Sequence, residues 1–290
     1  MFQLTRSRLF KRLIPGLFGF LFVLIASACN SGNLSNDETL TASSSGSTSS
    51  ASVLTVATSP SFPPFTYTTE DGTLTGFDVD LMRAVGEAAG FEVNFQVFPL
   101  IDDVIRSLYG HEVDAAIYAV SITPDRANVV AFSRPYFQSG LAIATQTSNP
   151  AITSADALSG KQIGVESGST GEMKAEAVPG AKVVTFDTAV AALQSLAQGN
   201  VDAVINDAPV TEYMISTNQV EGLKIVGEPL TEEFYGIATP KDSPHLEQIN
   251  LGLTAILENG VYDTIYQQWF NDEPPALPET VPTQSATRLN

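Results

Sequence analysis

The chain has 290 residues, 43% of them hydrophobic and 16% charged, which is enough apolar material for a packed core in one large or two small domains. The formal charge is −18 and there is a single cysteine. So acidic a surface repels nucleic acid and anionic membranes, which need cationic neutralisation, and a lone thiol excludes an intrachain disulfide or a cysteine-based metal site.

Residues 1–29 read as a targeting segment. Arg6, Arg8, Lys11 and Arg12 precede the apolar run LIPGLFGFLFVLIASA, which Pro15 and Gly16 interrupt and which ends in Ala26-Ser27-Ala28 directly before Cys29. A basic start, an apolar run and small residues at its end are the signature of export. No acid precedes Cys29; beyond it ten basic residues face 32 acidic ones. The segment resembles a bacterial lipoprotein signal in which Cys29 becomes the lipidated N-terminus, although Ala26 stands where such motifs usually carry Leu. Ordinary cleavage beside an incidental cysteine is the alternative, and an uncleaved anchor, on a segment short for a span, is the third. Residues 30–52 are rich in Ser, Thr, Gly and Asn and read as a flexible tether.

From residue 53 onward short β-rich runs alternate with helical patterns. Strands are expected at 53–57, 92–98, 114–117, 163–165, 182–186, 202–205 and 223–226. Helices are expected at 78–89, 102–109, 169–177, 188–198, 208–216 and 245–258. Such alternation predicts an α/β fold with mainly parallel sheets. The Pro-rich tail, 274–290, reads as extended or disordered.

One internal repeat is visible. SLYGHEVDAAI (107–117) and SLAQGNVDAVI (195–205) align without gaps, each reading as a helix end, a turn at Gly and a buried strand. Two similar α/β lobes follow from it. The first copy is followed by YAVSITPDR and the second by NDAP, so one lobe presents a cation, Arg126, and the other an anion, Asp207. If the lobes face each other, the two ends of an amino-acid zwitterion have partners, the planar guanidinium suiting a carboxylate bidentately. The plainer readings are a solvated Arg126 on a first helical turn and an Asp207 that caps the helix beginning near Pro209.

GFDVDLMRAVGEAAG (76–90), SITPDR, GVESGST and VDAVINDAP stand in this order, and together they resemble the bacterial family-3 extracellular solute-binding proteins, the amino-acid receptors of ABC importers. The resemblance covers about 53–270. It implies a two-lobed, type II periplasmic-binding-protein fold: two mainly parallel sheets flanked by helices, joined by two hinge strands near 137–140 and 235–240. Lobe 1 is expected at 53–138 plus 238–273 and lobe 2 at 139–237.

It also implies ligand-binding residues. Arg126 matches the carboxylate-binding arginine and Asp207 the ammonium-binding aspartate. Ser121 and the backbone of Ala119 match first-lobe ligand contacts. Phe62, in the loop after the first strand, matches an aromatic that covers the ligand side chain. Ser59 stands where several members have an acid, and Ile101 where others place a second aromatic. Ser169 and Thr170 precede a helix whose first amides favour an anion, or they merely cap it. Glu166 falls where the family lines the side-chain pocket, so a carboxylate there would favour a basic ligand; its alternative is to point to solvent. Tyr118 is expected to line the same pocket.

Asp78 and Asp80 read as complements to a helix dipole rather than metal ligands. His111 and His245 read as isolated surface residues. No cofactor, metal or catalytic residue is expected. The implied partners are a free, polar or basic L-amino acid and the membrane permease subunits of an ABC transporter, with membrane contact only through the lipid anchor and a monomeric receptor outside the cytoplasmic membrane. Two other functions have specific requirements. A dehydratase on the same fold would need Glu166 as its general acid, with no second acid or base to pair with it. A sensor module would need a signalling or membrane segment after residue 273, and none is read there.

Overall fold

The structure, a computed structural model, describes residues 52–280. The targeting segment, Cys29, the tether up to residue 51 and residues 281–290 lie outside the described residues.

The first sheet grows around β1 (Ser52–Thr58), whose Leu54, Val56 and Ala57 are buried. The 3-stranded sheet of β2 (Ser61–Phe62), β3 (Thr66–Thr68) and β4 (Leu74–Thr75) follows it. Helix α1 (Phe77–Ala89) then leads to β5 (Phe91–Val97), and α2 (Ile101–Tyr109) leads to the two-residue strand β6 (Ala115–Ala116). Both β5 and β6 pair parallel with β1. Helix α3 (Pro124–Val129) precedes the long strand β7 (Val130–Ser139).

The second sheet contains β8 (Leu141–Gln146), β9 (Gln162–Glu166), β10 (Lys182–Phe186), β11 (Ala203–Asp207) and β12 (Leu223–Val226). Its helices are α4 (Thr170–Glu176), α5 (Ala189–Ala197) and α6 (Ala208–Ser216). The chain then returns along β13 (Glu233–Pro240) to the first sheet and ends in α7 (Leu246–Glu258) and α8 (Val261–Phe270).

The strand orders are β5-β1-β6-β13-β7 and β10-β9-β11-β8-β12. The two-sheet α/β architecture is the one expected: in each sheet four of the five strands run the same way and one is reversed, β13 in the first and β8 in the second. Three parallel strands at one side are completed by two antiparallel pairings, those of β13 in the first sheet and those of β8 in the second. In each sheet the reversed strand is the one that enters from the other sheet, β8 by the Gly140 crossing and β13 on the return.

The first crossing is the single residue Gly140, between Ser139 of β7 and Leu141 of β8. A Cβ there would lie 2.3 Å from the Thr231 carbonyl oxygen, so the two crossing segments press together at a point only glycine allows. Residues 233–237, expected in the second lobe, lie in β13, which pairs with β7 of the first sheet from Glu233 onward.

The first core is aromatic. Phe65 sits edge-on to Phe137 at 4.9 Å and to Tyr235 at 5.3 Å, and Phe137 packs on Phe270 at 5.1 Å. Such edge-to-face pairs add to the burial of large rings. Helix α8, which supplies Phe270 and was not expected from the sequence, closes this core. Helices α1 and α7 meet closely, because Gly252 lies where a Cβ would be 2.6 Å from the Val85 carbonyl.

The repeat is structural. Asp114 Oδ2 accepts the amide of Thr55 at 2.8 Å, and Asp202 Oδ2 accepts that of Gln162 at 2.8 Å. Each aspartate thereby ties its incoming strand, β6 or β11, to the middle one of the three adjacent parallel strands, β1 or β9. The turn differs from expectation in the first copy. Gly110 keeps a right-handed conformation and His111 takes the left-handed one, φ 52°; in the second copy Gly199 occupies the corresponding place, φ 77°.

Candidate functional site

The segment after β6 makes the first wall. Ala119 has φ 45°, a conformation costly to any residue with a Cβ. Asp78 holds it there. Its carboxylate is fully buried at the start of α1, and Oδ2 accepts the Ala119 amide at 2.7 Å. Burial pushes the Asp78 carboxyl up to about 7, against the pull of that amide. Asp78 thus stands in the first turn of α1, as expected, but buried, and it also shapes the loop. Asp80 serves packing instead, accepting Trp269 Nε1 at 2.9 Å. From Val120 to Ile122 the loop is stitched to β13 through Ile122 N to Phe234 O, 2.8 Å, and Gly236 N to Val120 O, 3.1 Å.

Thr123 caps α3 by accepting the Arg126 amide at 3.2 Å, and Pro124 begins the helix. The Arg126 side chain is half-buried and turned inward. Nη1 donates to the Ser121 carbonyl at 3.0 Å and Nη2 to the Gly168 carbonyl, on the second wall, at 3.0 Å. It is therefore not a solvated arginine. Burial lowers its pKa, while the charges of Glu233, Asp207, Asp102 and Glu166 oppose the loss of its proton.

The second wall is built from the carboxyl ends of two neighbouring strands, where open α/β sheets place ligand groups. Glu166 ends β9 and is buried, which excludes the solvent-facing alternative. Tyr118 Oη donates to its Oε1 at 3.2 Å and lies 3.2 Å from Ser61 Oγ. Burial pushes the Glu166 carboxyl up to about 8; the Tyr118 hydrogen bond works against this and the charge of Asp207 with it. Asp207 ends β11, is buried, and stands at the N-cap position of α6, but its side chain makes no capping bond to that helix and is free to turn elsewhere. Its Oδ1 accepts from Ser139 Oγ at 3.3 Å and from the Tyr235 hydroxyl. Burial, then the charge of Glu233, raises its pKa.

Ser169 proves to be a cap. It accepts the Glu172 amide at 3.1 Å, while Glu172 Oε2 reaches past the cap to accept the amide of Gly168, the residue before it, at 2.7 Å. One of the amides in this turn is thus already taken. Thr170 instead turns its hydroxyl into the crevice, to Glu233 Oε2 at 2.9 Å. Gly168 is fixed by space as well as by φ 75°, since a Cβ would lie 2.5 Å from Asp102 Oδ1 and 3.1 Å from Ile101 Cγ2. Ile101 is therefore an apolar edge at the meeting of the walls.

Phe62 is buried, 5.4 Å from the Tyr118 ring and 6.2 Å from Phe65. Ser59 is buried beside Ser61, 3.2 Å between hydroxyls. The fold thus puts Phe62 and Glu166 against Tyr118, sets Arg126 on the Ser121 and Gly168 carbonyls, and joins Ser121 to Thr170 through Glu233. Asp207 is bonded to Ser139 and Tyr235, Ala119 to Asp78 and Ser59 to Ser61, while Ile101 lies beside Gly168 and Ser169 caps α4. The two walls also meet at Tyr67 and Tyr213, ring centroids 6.4 Å apart.

Sequence reasoning did not single out Glu233, Ser139, Ser61 or Asp102, nor Tyr235 as a site residue. Ser61 gains its place from Tyr118 within the first wall, and the other four from the crossing strands or from contact between the walls, which leave no local pattern. His245 is less isolated than expected, with Nε2 3.9 Å from Asp114 Oδ1, the repeat aspartate.

Residues 54–272 match the bacterial extracellular solute-binding proteins, family 3. A probable histidine-binding protein of Neisseria gonorrhoeae is 31% identical over 226 residues, covering 76% of this chain and 84% of that protein. Among solved structures, the arginine-, lysine-, histidine-binding protein ArtJ of the thermophile Geobacillus stearothermophilus superposes with a TM-score of 0.73 at 35% identity, over 76% of this chain and 96% of that one. An ancestral arginine-binding protein bound to arginine gives 0.72 at 40% identity, over 75% and 98%. With that family matched over residues 54–272, most of the chain, the chain belongs to the bacterial extracellular solute-binding proteins, family 3.

Proposed function

We propose that this chain captures a basic L-amino acid outside the cytoplasmic membrane and hands it to the permease subunits of an ABC importer. The observation that carries the reading is the convergence, in one crevice, of Arg126 from the first sheet's side with Asp207 and Glu166 from the second's. Arg126 offers a fork to the α-carboxylate. Asp207 offers a fixed anion to the α-ammonium. Glu166, beside Tyr118 and Phe62, offers a second anion to a cationic side chain whose stem lies on the rings. Each charge-assisted bond contributes roughly 1.5–3 kcal/mol. The names of the relatives, which bind arginine, lysine or histidine, point the same way.

The walls are joined at Gly140 and at 227–232, and we take these crossings as the hinge about which a ligand-bearing first wall meets the second. Closure is favoured only by contacts better made in the closed arrangement. The lobes are then the two sheets with their helices, Cys29 carries a lipid anchor, and the receptor works as a monomer.

A thermal-shift screen of the twenty amino acids with ornithine and citrulline tests the reading, because a bound ligand adds RT ln(1 + [L]/Kd) of stability. Arginine, lysine, ornithine or histidine should give the largest rise. A largest rise with glutamate would defeat the role of Glu166, and no rise with any amino acid would defeat the receptor itself.

A further inference from the structure

Glu233 has no task in the reading above. It is the first residue of β13, where the chain re-enters the first sheet, and it is buried. Its Oε2 accepts from both walls at once, from Ser121 Oγ at 2.6 Å and from Thr170 Oγ1 at 2.9 Å. Its Oε1 accepts from Thr231 Oγ1 at 3.0 Å, and that oxygen accepts the amide of Leu141, the first residue after the Gly140 crossing, at 2.9 Å. One carboxylate therefore grips both walls and, through Thr231, both crossing segments. Hydroxyl-to-carboxylate bonds are charge-assisted and stronger than neutral ones. Separating the walls parts Ser121 from Thr170, so Oε2 must surrender one of them.

We infer that Glu233 is a cross-wall latch, a positioning residue that favours closure of the crevice whatever amino acid lies inside. Its bonds are made to the protein, so its contribution is the same for every ligand. A larger closed fraction raises every apparent affinity by that fraction. Glu233 thus sets how tightly the receptor holds, while Glu166 sets what it holds. The geometry also defines a rival role. Glu233 is an anion near Arg126, where it would compete with a ligand carboxylate, and its removal would then tighten binding.

The inference rests on the receptor reading for its binding arm only. The full chain is compared with Glu233→Gln, which keeps the shape and one acceptor, and with Glu233→Ala. Calorimetry with L-arginine and L-histidine should show binding roughly 10-fold weaker in the Gln variant, by the loss of one charge-assisted bond, and weaker still in the Ala variant. The factor should be equal for the two amino acids and appear in the off-rate. Hydrogen exchange without added amino acid should speed up in both 118–126 and 166–172, and thermal melts show which variants remain folded. Tighter or unchanged binding, a factor that differs between arginine and histidine, or unchanged exchange in the Gln variant overturns the latch. If the wild type binds neither amino acid, the receptor reading falls while the exchange comparison still decides for or against the latch.

Discussion

In the first sheet β5-β1-β6 run parallel, and in the second β10-β9-β11 do the same, with β1 and β9 in equivalent central places. The repeated segment enters each sheet at the third of these strands and is fastened by the same aspartate-to-amide bond. The copies part where they leave the sheet. The first pairs for only two residues, Ala115–Ala116, then breaks into a loop with a left-handed Ala119, and that loop lets the chain turn to α3 and aim Arg126 inward. The second keeps its strand for five residues and presents Asp207 from the last of them. The flexible cation is thus delivered by a loop that a buried carboxylate must hold, and the compact anion by a rigid strand end. Similar frames acquire opposite charges, and the difference lies in a few residues after the shared motif.

The comparison breaks most sharply at Asp207. In Asp207→Asn the isosteric amide keeps an oxygen for the Tyr235 and Ser139 hydroxyls but loses the anion. Truncating one partner of a buried charge pair costs about 2–5 kcal/mol, so arginine affinity should fall by roughly 30-fold or more in calorimetry. The free protein should become more stable, because burial and the Glu233 charge disfavour the ionised aspartate and the amide carries no charge. A weaker ligand grip with a higher melting temperature is the expected signature. A lower melting temperature with unchanged affinity would make Asp207 a structural group.

The pH dependence sharpens the same contrast. Glu166 is raised to about 8 and Asp207 is raised too, so the native state holds protons that the unfolded chain has released. Stability from this source is fully present below the ordinary carboxyl range near pH 4 and is lost as pH rises toward 8. Binding of a cation favours the ionised carboxyls, so arginine should expel protons and bind more tightly as pH goes from 6 to 8, by up to about tenfold per unit for one released proton. Calorimetry in buffers of different ionisation enthalpy measures the release. In Glu166→Gln the slope should become shallower, leaving the share that Asp207 contributes. A slope as steep as the wild type's there, or an affinity that falls with rising pH, would remove Glu166 from the ligand's reach.

How much of this was legible in the sequence follows the range of the interactions. The repeat, the strands that carry Glu166 and Asp207, and the helix at Arg126's loop are local patterns, readable as apolar runs and turn residues. The directions of Glu166 and Asp207, between solvent, cap and crevice, were not local questions; the family pattern favoured the crevice and the packing of the second wall on the first decides it. Asp78 looked like a helix-dipole acid because it stands in the first turn of α1, but its partner, the Ala119 amide, is far along the chain. Glu233 was invisible for the same reason. A carboxylate beside another carboxylate, Glu232, carries no signal until β13 pairs with β7 and turns one inward, buried, and the other outward.

The smallest test returns to the shared motif itself. Asp114 and Asp202 make the same bond at the same length, yet their surroundings differ. The Thr55 amide that Asp114 serves lies on a partly buried residue inside β1, whereas the Gln162 amide that Asp202 serves lies on an exposed one at the start of β9. An amide left unpaired where water cannot reach it bears its full desolvation cost, and one at the surface is repaired by solvent. Asp114→Ala should therefore cost about 1–2 kcal/mol in denaturant unfolding, and Asp202→Ala less than about 0.5 kcal/mol. His245, 3.9 Å from Asp114, adds little at its partly exposed position. Equal costs would mean that the two bonds act through the folded sheet alone and that solvent access does not distinguish the copies. A larger cost at Asp202 would reverse the argument, placing the weaker frame under the first wall and the more demanding one under the strand that presents Asp207.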